Sequence, residues 1–208
     1  LSSSPAAMEA TKANDAYGPL AGNAQEVADA VRAYTQALLS GKKTWVQLPR
    51  DRWPKAWKHM VGPVAPLRRA LYGRPDSGGH WEEHCTDKLL QCGFEAVEDW
   101  RSCFVHRKLK LFLVVYVDDF KLAGPKANLA KGWSLIRRQL ELEEPAPMTA
   151  FLGCQSRRYQ STVKECLDRM GFVPASMGEP RLDEEVTVIE NSMTDFVKLS
   201  VSHYCTVA

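Results

Sequence analysis

Hydrophobic residues recur along the chain at two spacings, and each spacing predicts one type of element. Short apolar or alternating runs bounded by Gly, Pro or polar residues are typical of strands. The strands predicted in this way span residues 25–30, 44–48, 102–106, 110–117, 120–123, 149–157 and 186–189. Apolar residues at helical spacing predict helices. These helices span residues 4–15, 31–39, 77–92, 127–142 and 192–204.

The connections between these elements indicate the fold class. In the middle of the chain the strands are joined as hairpins, and helices precede and follow them. We therefore predict an α+β sandwich in which an antiparallel sheet carries helices on one face. A continuous helix is the competing interpretation of residues 25–39, and residues 160–208 are read only as a strand followed by a helix.

Two adjacent carboxylates, Asp118 and Asp119, follow the apolar run of residues 109–115 and the pair Tyr116 and Val117. Adjacent carboxylates repel each other, and burial beside an apolar strand raises the cost of ionising both. A divalent cation such as Mg²⁺ compensates for this, because it takes carboxylate oxygens and substrate phosphates together. The alternative is a plain hairpin turn, since Asp tolerates turn conformations.

Composition narrows the class of protein. The chain has 208 residues, of which 45% are hydrophobic and 25% charged, as in a globular domain with one sizeable core. Its longest apolar stretch, residues 111–117, is far shorter than the ~20 residues of a membrane-spanning helix. The six cysteines form no CxxC pair, so we expect reduced thiols in an intracellular protein. Because the chain begins with Leu1, we expect a piece of a longer protein.

The net charge of +2 means that any nucleic-acid contact must come from local basic patches. Such patches are distributed along the middle of the chain, together with aromatic residues that permit base stacking. The basic patches are Arg68 and Arg69; Arg107, Lys108 and Lys110; Arg137 and Arg138; and Arg157 and Arg158. The aromatic residues are Trp45, Trp53, Trp57, Tyr72 and Trp81.

Five separate blocks occur in the order found in one known family. The blocks are Asp29, Ala33, Tyr34 and Ala37; Thr44, Trp45, Val46, Leu48 and Pro49; Ala70 to Gly73 with Trp81 downstream; Tyr116 to Asp119; and Phe151, Leu152 and Gly153. Together they resemble the reverse transcriptase of copia-type retrotransposons, over residues 4–158. The composite is specific because the blocks share the order and spacing of the family.

This resemblance implies a polymerase palm over residues 25–159, after an N-terminal helix and loop in residues 1–24. Residues 160–208 would be a poorly matched extension, read as the beginning of a thumb. The catalytic and metal-binding carboxylates would be Asp29, Asp118 and Asp119. They would hold two Mg²⁺ ions, or Mn²⁺ in their place, about 3.5–4 Å apart for nucleotidyl transfer.

The resemblance also implies a nucleotide site and a set of partners. Tyr34 would lie beneath the sugar of the incoming deoxynucleotide and exclude a 2′-hydroxyl, and Tyr116 and Asp76 would lie nearby. The substrates would be an RNA or DNA primer-template and deoxynucleoside triphosphates. Further partners would be the fingers, thumb, ribonuclease H and integrase parts of a Pol polyprotein, in the cytoplasm, a virus-like particle or the nucleus.

Two departures from the family bear on activity. Pro75 and Asp76 stand where the family carries a Lys-Gln pair, and a carboxylate is unfavourable beside a triphosphate. The basic fingers segment that precedes the first Asp of the family is largely missing. The competing hypotheses are therefore an inactive, reverse-transcriptase-derived remnant that at most binds nucleic acid, and an unrelated RNA-binding module. The absence of an aromatic RNP-type strand argues against the module.

Two further patterns carry less weight. His80, His84 and Cys85 have the helical spacing of zinc ligands, but no fourth ligand is evident, and an exposed helix face is the simpler interpretation. The terminal Cys205-Thr206-Val207-Ala208 fits a prenylation pattern but has no polybasic neighbour.

Overall fold

A computed structural model of the protein describes residues 6–172, 178–179 and 181–207. Within this part the helices are α1 Met8–Tyr17, α2 Ala33–Gln36, α3 Ser77–Gln91, α4 Lys126–Arg137, α5 Val163–Met170 and α6 Thr194–Val207. The strands are β1 Asn23–Asp29, β2 Trp45–Gln47, β3 Val64–Pro66, β4 Glu95–Ala96, β5 Cys103–His106, β6 Leu111–Tyr116, β7 Asp119–Pro125, β8 Ala146–Pro147, β9 Ala150–Phe151, β10 Cys154–Thr162 and β11 Glu185–Ser192.

The main sheet has six strands in the order β4-β5-β6-β7-β1-β8, and all its pairs are antiparallel. Strand β1 pairs with β7 along its whole length, from Asn23 opposite Pro125 to Asp29 opposite Asp119. Strands β6 and β7 form a hairpin whose two-residue turn is Val117 and Asp118. The predicted α+β class with an antiparallel sheet is confirmed.

Side chains of β6 alternate between two separate hydrophobic clusters, as expected for a strand buried on both faces. Leu111, Leu113 and Val115 belong to the main core with residues of α3 and α4. Val114 belongs to a second cluster with Ala10 of α1, and Phe112 packs against it. The helices therefore lie on both faces of the sheet, and the predicted arrangement on one face is wrong, because α1 covers the second face.

Beneath α1 the sheet carries a buried cation. The side chain of Lys121 in β7 is only 1% exposed, and its Nζ donates to Oδ1 of Asp15 in α1 at 2.5 Å. Nε2 of Gln25 donates to the same Oδ1 at 3.1 Å and to Oδ1 of Asn14 at 3.0 Å. Because a buried ammonium is costly without a partner, this network ties α1 to the sheet.

Two smaller sheets lie outside the main one. Strands β2 and β3 form a two-stranded ribbon, and β9, β10 and β11 form a three-stranded sheet. Strand β10 continues across the expected boundary at residue 160 into α5, which begins with a capping box between Thr162 and Glu165. The assignment of residues 160–208 to the beginning of a thumb stays a prediction.

Three predicted helices differ from those observed. The helix predicted at 31–39 is reduced to the four residues of α2, because Arg32 before it is left-handed and Leu39 bonds to Arg68 instead. The helix predicted at 127–142 ends at Arg137, and Leu142 pairs with Ala30 in an isolated bridge. The helix predicted at 4–15 is α1, whose predicted first residues, 4 and 5, lie outside the described residues.

Strand predictions were closer to the structure. Each predicted strand corresponds to an observed one, with ends shifted by a few residues, and the strand predicted at 149–157 is split into β9 and the start of β10. Strands β3, β4 and β8 and helix α5 had no prediction. None of the described helices has the length and apolar character needed to cross a membrane.

The Asp15 network leads to a prediction about stability. Replacing Asp15→Ala leaves the Lys121 ammonium buried without a partner, so we expect the free energy of unfolding to fall by about 3 kcal/mol. Urea denaturation measures it. Asp87→Ala removes the same group from an exposed position of α3 and is expected to change stability by less than about 0.5 kcal/mol. An equal effect of the two substitutions would contradict the role of the network.

Candidate functional site

The ends of three strands place two carboxylates and a phenol side by side. In the sheet register Asp119 of β7 lies directly opposite Asp29 of β1 on one side and Tyr116 of β6 on the other. Residues directly opposite in an antiparallel pair point to the same face, with Cβ atoms about 4.5–5.5 Å apart. We call Asp29, Asp119 and Tyr116 the carboxylate row. It lies on the same face as Lys121 and α1.

The turn that follows Tyr116 is held from two directions. The backbone N of Ala30 donates to the carbonyl O of Asp118 at 2.7 Å, which fastens the turn to the end of β1. Nε1 of the buried Trp81 in α3 donates to the carbonyl O of Val117 at 2.6 Å. Val117 has φ of +59°, a conformation that a β-branched residue rarely adopts. The turn is therefore strained locally and held in place by its neighbours.

The carboxylate row perturbs the acidity of its central member. The pKa of Asp119 is raised from 3.8 to about 6, first because burial disfavours the charged form. The negative charges of Asp29 and Asp118 raise this pKa further, as does a hydrogen bond between the carboxyl groups of Asp119 and Asp29. Near neutral pH, a fraction of the Asp119 carboxyl groups therefore still carries a proton. A metal cation bound at this position would displace that proton.

A pair of tyrosines lies within electrostatic reach of Asp118. The rings of Tyr34 and Tyr72 have centroids 4.4 Å apart with planes inclined at 35°. The charge of Asp118 contributes to a raised pKa of Tyr72, after desolvation as the larger cause. Tyr34 is thus connected to the turn through Tyr72. From the sequence, Tyr72 was expected as a member of a family block and as one of the aromatic residues that permit base stacking, and its spacing to Tyr34 gave no sign of the ring contact.

Asp76 has partners of its own at the beginning of α3. Nε and Nη2 of Arg74 donate to its two carboxylate oxygens, each at 2.7 Å, and Nη1 of Arg74 donates to Oγ1 of Thr44 at 2.6 Å. Arg74 lowers the pKa of Asp76 to about 2, with a smaller contribution from His80. The carboxylate expected to be unfavourable beside a triphosphate is therefore paired with Arg74 within the chain. Its expected contact with a nucleotide stays a prediction.

The fit of the site to a divalent cation rests on its donor set. Asp29 and Asp119 offer adjacent carboxylate oxygens, the ligands that Mg²⁺ and Mn²⁺ accept. Within the described residues, however, no group of three or more His, Cys, Asp or Glu side chains is arranged to hold a metal ion. Asp118, the third predicted ligand, lies in the turn beside the row, and the predicted trio is not such a group. The donor chemistry of Asp29 and Asp119 fits a cation.

The possible zinc ligands on α3 and the C-terminal cysteine have ordinary structural surroundings. Cys85 is buried in the main core, where desolvation raises the pKa of its thiol, and His80 is buried beside Asp76. The exposed helix face expected for this group is therefore wrong, because two of its members point inwards. Cys205 is exposed on α6, and all six cysteines are free thiols.

Comparison with known proteins gives a partial match. No protein-family model matches the chain. The Transposon Ty1-DR4 Gag-Pol polyprotein of Saccharomyces cerevisiae is 36% identical over 66 residues, which are 31% of this chain and 4% of that polyprotein. The Transposon TyH3 and truncated Transposon Ty1-A Gag-Pol polyproteins of the same species have the same identity over 66 residues.

The chain resembles part of retrotransposon Gag-Pol polyproteins. Its aligned segment spans 4% to 5% of the length of these curated relatives. The similarity fits a retrotransposon origin and a place within a larger polyprotein, as expected from the sequence. It does not single out the polymerase among the parts of such a polyprotein.

The strain at Val117 leads to a prediction. Glycine adopts positive φ without a side-chain clash, so we expect Val117→Gly to raise the free energy of unfolding by about 1 kcal/mol. Urea denaturation of Val117→Gly and of Val105→Gly, an ordinary position in β5, measures the difference. We expect the control to lose stability, since glycine weakens a strand. A loss of stability in both variants would show that the turn is unstrained.

The pKa of Asp119 predicts how stability depends on pH. Because the pKa rises from 3.8 to about 6 on folding, the stabilising proton is fully bound in the folded state below about pH 4 and lost as pH rises through 6. The Asp119→Asn variant has no carboxyl group at this position and therefore does not lose this stability as pH rises. The difference in free energy of unfolding, variant minus parent, should increase by about 1 kcal/mol between pH 4 and pH 7, after allowance for solvent screening. Thermal unfolding across this range is the measurement, with Glu83→Gln on the exposed face of α3 as control. A difference that is constant with pH would refute the assignment.

Proposed function

We propose that the protein is the palm region of a copia-type reverse transcriptase, an RNA-directed DNA polymerase that extends a primer by two-metal nucleotidyl transfer. The observation that carries the proposal is the register that sets Asp29 opposite Asp119, since these positions were expected to be metal ligands and are far apart in sequence. The partial similarity to Gag-Pol polyproteins supports the same origin.

Asp29 and Asp119 would hold the cations, with Asp118 joining them from the turn. When bound, the cations supply activation of the primer hydroxyl and neutralisation of the charge on the leaving pyrophosphate. The raised pKa of Asp119 fits this role, because a divalent cation would displace the proton that the row favours. Trp81 would act as a positioning residue, since its bond to Val117 fixes the turn that carries Asp118.

Tyr34 and Tyr72 would form the floor of the nucleotide site. Their contacting rings lie near Asp118 of the turn and are only partly covered, so an incoming sugar has an aromatic surface to pack against. In this arrangement the Tyr34 ring excludes a 2′-hydroxyl by its bulk. Tyr72 supports the orientation of Tyr34 through the ring contact, and Tyr116 closes the other end of the row.

A contact surface for the template is supported by the uneven distribution of charge. Residues 42–69 contain eight basic residues and one acidic residue, a net charge of +7 in a chain whose total is only +2. None of these residues is buried, and Arg50 lies over the ring of Trp53 at 5.5 Å. Exposed cations interleaved with aromatic rings are suited to a nucleic-acid backbone and its bases.

A second candidate function is that of an inactive remnant that binds nucleic acid without polymerising. The observation in its favour is that the three carboxylates do not already form a metal-binding group among the described residues. In this case the basic segment at 42–69 would retain salt-dependent binding, whereas the carboxylate row would bind no cation.

Primer extension on poly(rA)/oligo(dT) with Mg²⁺ distinguishes the two candidates. We expect the parent chain to incorporate nucleotides and the Asp118→Asn, Asp119→Asn double variant to lose at least about 100-fold in rate. The matched control is Glu83→Gln, Asp87→Asn, which removes two carboxylates from exposed positions of α3 and should retain activity. Absence of extension by folded parent protein would favour the remnant.

Thermal unfolding with and without Mg²⁺ provides a readout that does not require activity. A cation bound only to the folded state raises the melting temperature, and the increase should be absent from the Asp118→Asn, Asp119→Asn variant. An equal increase in parent and variant would place cation binding away from the carboxylate row.

A further inference from the structure

A cavity of about 580 Å³ lies between α1, the β6-β7 hairpin and the β9-β10-β11 sheet. Its walls are mainly apolar, with Met8, Phe151, Leu152 and Met193 among them. This volume falls within the range of about 300–1,000 Å³ that is typical of small-molecule sites. None of Asp29, Asp118 and Asp119 lines the cavity, which shares only Tyr116 with the carboxylate row.

One buried charged group lies in the wall of this apolar space. Lys121 and Asp15 both line the cavity, and the Lys121 side chain is 1% exposed. The ammonium has three N–H donors. Asp15 accepts one of them, and the face of the Phe151 ring lies 4.9 Å from Nζ. Burial lowers the pKa of Lys121, whereas Asp15 acts in the opposite direction by favouring the charged form. Asp15 thus takes one of the three donors, and no other hydrogen-bond acceptor of Nζ is found among the described residues.

The charges around the cavity indicate which ligand it would accept. Lys12 on α1 lies at the exposed rim, so the lining carries two lysines against the single carboxylate of Asp15. A cationic ligand would be repelled by this excess of positive charge. A neutral apolar ligand would leave the remaining Lys121 donors without acceptors, which is costly in a dry site. An apolar body with one anionic oxygen group satisfies both conditions.

We propose that this cavity binds a small organic acid, with its carboxylate on Lys121 and its apolar body against Phe151, Leu152 and Met193. The position of Lys121 is preorganised, because Asp15 holds the ammonium and Gln25 in turn donates to Asp15. No covalent step is involved. The proposal does not depend on nucleotidyl transfer and holds for either candidate function of the carboxylate row.

Ligand-observed NMR titration with phenylbutyrate and its uncharged counterpart phenylbutanol tests the proposal. We expect the parent protein to bind the acid at least about tenfold more tightly than the alcohol, as one charge-assisted hydrogen bond provides. Lys121→Met should abolish this preference. The matched control Lys131→Met makes the same change on the exposed face of α4 and should preserve it.

A second variant tests the location without removing the buried charge. Leu152 is partly exposed at the wall of the cavity, and Leu152→Trp is expected to fill space and weaken binding of both ligands at least about tenfold. Thermal unfolding confirms that each variant folds. The proposal is overturned if the parent binds acid and alcohol equally, if it binds neither, or if Leu152→Trp leaves binding of phenylbutyrate unchanged.

Discussion

The register between β1 and β7 is the constraint on which the rest of the structure depends. Side chains alternate along each strand, so a slip of one residue would move Ala28, Phe120 and Leu122 out of the main core. The same slip would bring Asp29 opposite Phe120 or Asp118 and dissolve the carboxylate row. Hydrophobic burial in the core thus fixes the relative position of two carboxylates that would otherwise repel each other. The stabilising interaction is the hydrophobic burial of Ala28, Phe120 and Leu122, which lies on the opposite face of the sheet from the carboxylates.

The polar groups on the α1 face have different roles according to what surrounds them. Lys121 is neutralised by Asp15 beneath α1, and that pair stabilises the packing of a helix. Two residues earlier on the same face, Asp119 has only acidic and phenolic neighbours in the sheet, and its pKa rises. The unfavourable charge and the strained Val117 lie together at the end of one hairpin. Local strain of this kind persists where surrounding contacts, here from Trp81 and Ala30, determine the conformation.

Much of the sheet was predictable from the sequence, whereas the helices were less so. The strands β6 and β7 follow from apolar runs that tertiary packing reinforces, and the Asp pair marks the turn between them. Strand β1 was predicted with a continuous helix as the competing interpretation, and the structure shows the strand. The helix predicted at 31–39 failed because the backbone of Arg32 is left-handed and residues 37–39 instead bond to residues 68–70. That alternative pairing joins segments about thirty residues apart, and a pattern confined to a short window does not contain it. The same applies to β3, β4 and β8, whose two or three residues carry too little periodicity to be recognised.

By itself, the sequence determined the α+β class, the strands of the central hairpin and the residue types of the candidate site, because these depend on local periodicity and on the chemistry of adjacent carboxylates. Only the tertiary structure decided that α1 covers the second face, that Asp29 faces Asp119 while Asp118 remains in the turn, and that Asp76 is already paired with Arg74. It alone decided that Lys121 is buried beside a cavity. These outcomes depend on contacts between residues distant in sequence, where geometry and burial, rather than residue type, set the charge and the partners of each group.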